Sequence, residues 1–142
     1  KFADQMATLA PVVLGPAVTR TIADNANTAL NRVDTMIREK DGAIYVFAAR
    51  VTEPDPIDGA KYTGVEPSSI TVSFTISGLT GSTTAAVVDE GRTISLTDGK
   101  FTDTFTKNAV HIYVIGGAGV TATTTTTTLK RPAPRNLRAK KK

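Results

Sequence analysis

Between residues 90 and 115 the chain reads EGRTISLTDGKFTDTFTKNAVHIYVI. Apolar and polar positions alternate up to Asp98-Gly99 and away from it again, and a third apolar run closes at Ile115. Asp-Gly between two alternating runs predicts a β hairpin, because a two-residue type I′ turn needs positive φ at both central positions. In that register Leu96 faces Phe101, Ile94 faces Asp103 and Arg92 faces Phe105 on one side of the hairpin, the buried one. Asp103 is the only acid on this apolar face and is costly there unless paired. Arg92, its diagonal neighbour, has the reach to pair with it, so an Arg92–Asp103 ion pair is expected.

The remaining chain follows the same alternation. Phe2, Met6, Leu9 and Ala10 recur at helical spacing until Pro11 breaks the pattern, which predicts a short N-terminal helix. Strands are expected over 18–22, 33–40 and 43–50, the last two joined across Asp41-Gly42. The 43–51 run is apolar on both faces, as a central strand covered on both sides would be. Residues 52–68 hold Pro54, Pro56, Gly59, Gly64 and Pro67 and predict a long surface connection. Strands follow over 70–76, which alternates cleanly, and over 83–88. Seven or eight short strands with almost no helix predict an all-β fold, an antiparallel β-sandwich.

Three segments result: residues 1–15, ending a preceding helical element; 16–118, the sandwich; and 119–142, a linker and flexible tail. The linker contains six consecutive threonines at 123–128. The tail, LKRPAPRNLRAKKK, is Pro-interrupted, basic and without periodicity. Its seven basic residues account for the positive net charge of +4, since the rest of the chain carries ten basic against thirteen acidic residues. The domain itself is therefore mildly acidic, and a nucleic-acid partner is not expected. No apolar run approaches the roughly 20 residues of a membrane-spanning helix. Cysteine is absent from all 142 residues, which removes disulfides and thiolate metal sites.

Candidate chemistry is sparse. Asp89 and Glu90 are the close acidic pair of the strand region, but adjacent strand residues point to opposite faces and cannot flank one glycosidic bond. His111 is the single histidine; it shares a strand side with Tyr113, has no nucleophile pattern around it and reads as structural. Gly116, Gly117 and Gly119 lack the Lys-Ser or Lys-Thr of a phosphate loop. No catalytic, cofactor-binding or metal-ligating residue is expected, and no cofactor. Tyr62, in the long connection, is the aromatic residue expected to be exposed and the candidate sugar contact.

Three stretches in this order resemble the end of bacterial secreted (β/α)8-barrel glycoside hydrolases: QMATLAPVVLGP at 5–16, DGAIYVFAAR at 41–50, and the closing motif made of GR at 91–92, DGKFTDTF at 98–105 and AVHIY at 109–113. Arg50 stands where Asn is more usual in that pattern. The resemblance implies an ancillary sandwich that braces a catalytic barrel, a secreted, extracellular location, and polysaccharide as the parent enzyme's substrate, with the catalytic acids outside this chain. PAPRNLRA at 132–139 looks like the opening of a fibronectin type III module. The alternative expectation is a self-standing structural, adhesive or carbohydrate-binding extracellular module tethered by its tail.

Overall fold

The computed structural model describes residues 2–26, 32–51 and 67–116; Tyr62 and the expected linker and tail lie outside them. One helix, α1 (Phe2–Val13), precedes β1 (Ile22–Asp24), β2 (Arg32–Lys40), β3 (Ala43–Val51), β4 (Ser69–Ile76), β5 (Ser82–Val87), β6 (Arg92–Thr97), β7 (Lys100–Thr106) and β8 (Val110–Gly116). Among the described residues the fold is antiparallel β with a short N-terminal helix. The strands run β1-β4-β7-β6-β5-β8-β3-β2 in a single hydrogen-bonded order.

That order is folded over on itself. Across the Asp98-Gly99 turn, β6 and β7 pair only at Thr97 and Lys100. Beyond this pair β6 zips along β5 from Thr97 to Arg92, while β7 zips along β4 from Lys100 to Thr106. The expected facing pairs Leu96–Phe101, Ile94–Asp103 and Arg92–Phe105 therefore do not form a ladder. The hairpin opens because each arm gains a full partner strand in a different layer, and its apolar side chains fill the space between them. Phe101 lies 4.9 Å, centroid to centroid, from Tyr113 of β8, and Phe74 of β4 lies 6.2 Å from it, although neither strand neighbours β8 in the sheet. These contacts define two facing layers, β1-β4-β7 and β2-β3-β8-β5-β6.

The core follows from period-2 alternation. Ile70, Val72, Phe74 and Ile76 of β4 are all buried while Ser69, Thr71, Ser73 and Thr75 are exposed. Val46, Phe105, Tyr113 and Leu96 come in from the other strands with no exposed surface. At the far edges the two layers approach again. Arg20, just before β1, donates from Nε to Glu39 of β2 at 2.6 Å and from Nη1 to the Ser77 carbonyl at 2.9 Å. The sheet is thus nearly closed, which protects edges that would otherwise offer unpaired backbone.

Two elements differ from expectation. The helix continues through Pro11 to Val13 instead of stopping at Ala10. A proline in the last turn forfeits one backbone bond, whereas Leu9 and Val12 bury themselves on the sheet at 7% and 3% exposure, and that packing prevails. The first strand, expected over 18–22, forms instead at Ile22–Asp24 and overlaps that stretch only at Ile22. Just before Ile22, Thr21 is held to the end of β4 by Ser77, whose amide donates to the Thr21 carbonyl at 3.0 Å and whose Oγ accepts from the Thr21 amide at 2.9 Å.

Candidate functional site

Charged and polar side chains converge where β6, β7 and β8 face one another. Arg92 opens β6, just after a tight turn through Asp89 and Gly91, both in the left-handed region at φ 61° and 63°. Its guanidinium forms a two-pronged bond across the layers to Asp103, Nη1 to Oδ1 at 3.0 Å and Nη2 to Oδ2 at 2.7 Å. The Tyr113 hydroxyl donates to Asp103 Oδ2 at 2.8 Å, and the Thr104 amide donates to Oδ1 at 2.8 Å. Asp103 is inward on β7 because it lies two residues from each of Phe101 and Phe105, both core residues. The same alternation turns His111 and Tyr113 inward on β8.

On its other side Arg92 donates from Nε to Glu90 Oε2 at 2.6 Å, and His111 Nδ1 is hydrogen-bonded to Glu90 Oε1. A carboxylate acceptor places the shared proton on Nδ1. The 3.5 Å approach of Arg92 Nη2 to that nitrogen is then a contact between two donors and no hydrogen bond. His111 Nε2 is buried and has no partner among the described residues, while the imidazole and the Phe105 ring pack in a T-shaped pair with centroids 4.6 Å apart.

The electrostatics of this cluster favour a fixed strut. Burial pushes the Asp103 carboxyl up, but hydrogen bonds from Arg92, Tyr113 and the Thr104 amide outweigh it and hold the group below its ordinary value. The Asp103 bond, more than the Glu90 one, raises Arg92. Burial first, and the bond to Asp103 second, push the Tyr113 hydroxyl up. Glycoside hydrolysis needs one carboxylic acid kept protonated near neutrality by a raised pKa. Asp103 is shifted in the opposite direction, and Glu90 is engaged by both Arg92 and His111. No group of three or more potential metal ligands occurs among the described residues.

Asp89 and Glu90 turn to opposite sides of the layer. Glu90 points into the cluster, and Asp89 accepts from Gln5 Nε2 of α1 on the outer face at 2.9 Å. Asp98 and Gly99 form the turn at the β6–β7 corner, both with positive φ. Asp98 Oδ1 accepts from the Gly81 amide and Gly99 O from the Ile76 amide, so the turn is tied to both layers.

Two residues carry more than the pattern reading assigned them. Arg50 is a buried charged residue at 3% exposure, donating to the carbonyls of Phe105 at 3.0 Å and Pro67 at 2.6 Å. The signal was present: Ile44, Val46, Ala48 and Arg50 fall on one side of β3, so alternation alone turns Arg50 inward. Tyr45 is the second, on the outer side of β3 with Phe47 and Ala49, all half-buried. The helix α1 crosses this outer face from Asp89, held by Gln5, to Arg38 of β2, whose Nε lies 3.5 Å from the Val13 carbonyl oxygen. Between helix and sheet lies a groove of about 380 Å³, lined by both. Comparison with known proteins adds no relative: no family model, curated protein or solved structure matches the chain.

Proposed function

We propose that this chain is a non-catalytic accessory β-sandwich of a secreted polysaccharide-degrading glycoside hydrolase, bracing the catalytic barrel through the outer face of β2, β3 and β8. The observation that carries this reading is the apolar row on that face, continuing beside α1. Register aligns Met36, Phe47 and Ile112 across three strands, with Ala49 and Val110 in the next row. Val110 is 62% exposed and Leu14, just after α1, is 84% exposed. A central strand apolar on both faces is suited to cover on both, and a single short helix covers only part of this one. Contiguous apolar surface of this kind marks a site of association.

The chemistry of the interior fits the same role. The acids that converge are held by Arg92 and spend their hydrogen-bonding capacity on the fold, so catalysis belongs to the parent enzyme's barrel. Translation of the coding frame upstream of Lys1 is the test. A run of βα repeats carrying two strand-end glutamates is the expected result. A start codon or signal peptide directly ahead of Lys1 overturns the reading, as does polysaccharide turnover by this chain that depends on Asp89 and Glu90.

A further inference from the structure

We infer that the groove between α1 and the outer face of β3 and β8, closed by the turn after β5, binds a short neutral oligosaccharide, with Tyr45 as its platform and Asp89 and Gln5 as its polar rim. Its volume of about 380 Å³ lies at the small end of ligand sites, which run from roughly 300 to 1,000 Å³. Tyr45, Val114, Val88 and Leu9 make its apolar wall, and Tyr45 and Val114 are paired across β3 and β8. Such a wall suits the C–H faces of a pyranose ring.

The rim is unsaturated in a specific way. Asp89 uses Oδ2 to accept from Gln5 Nε2, which leaves its Oδ1 and the Gln5 Oε1 as further acceptors at the rim. The Tyr45 hydroxyl makes no hydrogen bond among the described residues and supplies both a donor and an acceptor. A ligand rich in hydroxyls matches all three groups, because each hydroxyl donates and accepts. An apolar ligand would strip water from the Asp89 carboxylate without replacing it. A cation would satisfy the Asp89 carboxylate but would leave the Tyr45 donor unmatched.

The carboxylate is also held in place. Asp89 sits at φ 61°, a conformation that Asp and Asn tolerate better than other side chains. The next residue, Glu90, is tied down by Arg92 and His111. The partly exposed cluster of Arg92, Glu90 and His111 thus fixes the turn that presents Asp89 on the outer face.

The inference extends the accessory role but stands on the groove, so the two can fail separately. A chain that binds oligosaccharide yet is encoded behind its own start codon keeps the groove and loses the barrel, and the converse result does the reverse. Titration calorimetry of the 142-residue chain with cellotetraose, xylotetraose and, as a cationic probe, spermidine is the test. Millimolar binding of at least one tetrasaccharide is expected, weakened at least tenfold by Tyr45→Ala and about fivefold by Asp89→Asn, which keeps the left-handed turn. Should Tyr45→Ala fail to fold, Tyr45→Phe and Asp89→Asn carry the test, each with a several-fold loss. Failure of both tetrasaccharides to bind, binding unaffected by the folded variants, or a preference for spermidine overturns the inference.

Discussion

The Tyr113 hydroxyl donates to Asp103 Oδ2 at 2.8 Å across the gap between the two layers, completing a carboxylate already gripped by Arg92. This bond gives stability a pH dependence at both ends of the scale. Tyr113 is pushed up in the folded chain, whereas an unfolded tyrosine titrates near about 10. Above that pH the unfolded chain binds fewer protons than the folded one, so stability falls as pH rises. At the acid end Asp103 is held below its unfolded value of about 3.9. Its contribution is complete above that value and lost as pH falls toward the folded pKa. Denaturation midpoints between pH 3 and 11 should therefore show a plateau with two declining limbs. Tyr113→Phe should flatten the alkaline limb and Asp103→Asn the acid one; unchanged limbs would exclude these groups as their source.

Asp103→Ala should destabilise the chain by about 2 kcal/mol, measured by urea denaturation. The variant leaves the buried Tyr113 hydroxyl without its acceptor, a loss of roughly 1–3 kcal/mol. The Arg92 contribution is smaller than that of a buried pair, because its side chain is 36% exposed and still bound to Glu90. A loss below about 0.5 kcal/mol would mean that the network is a surface one.

Gly99 and Gly42 both occupy Asp-Gly turns with positive φ, at 71° and 76°, yet they should respond differently to alanine. A Cβ on Gly99 would lie 2.3 Å from the Ile76 carbonyl oxygen, whereas one on Gly42 meets nothing within 4 Å. Gly42→Ala bears only the left-handed strain, on the order of 1 kcal/mol. Gly99→Ala must also push the corner turn away from β4 and should cost at least about twice as much. Equal melting temperatures for the two variants would contradict this packing.

Arg50→Met keeps the length of the side chain and removes its donors. The carbonyls of Phe105 and Pro67 lose a charged partner, and hydrogen bonds of this kind contribute about 1.5–3 kcal/mol. A loss of at least 2 kcal/mol is expected, with faster hydrogen exchange at Ser69 and Ile70, where β4 begins. Stability within about 0.5 kcal/mol of the parent would show that methionine packing offsets the lost bonds.

How much was legible beforehand varies with the residue. The clean alternation of Ile70, Val72, Phe74 and Ile76 specified which face of β4 is buried, and Asp98-Gly99 specified where the chain reverses, since both are local properties of backbone and side chain. The pairing of Arg92 with Asp103 was readable as a charge requirement on an apolar face. Its surroundings were not: Glu90, His111 and Tyr113 come from different elements, and their convergence depends on which layer each strand joins. The role of Tyr45 was hidden because an apolar run buried on both sides looks the same from sequence whether a helix covers all of its second face or leaves a groove.

The sequence by itself determined the strand alternation, the positions of the turns and the need of Asp103 for a cation, each a consequence of residues within a few positions of one another. Only the tertiary structure decided that the hairpin parts after a single pair. β6 gains more by zipping onto β5, the strand just before it, and β7 by zipping onto the more distant β4, than the two gain from each other, and no local pattern encodes that competition. The same choice set Asp103 across the layers from Tyr113, carried α1 over the outer face past Pro11, and left between helix and sheet the groove that Asp89 rims.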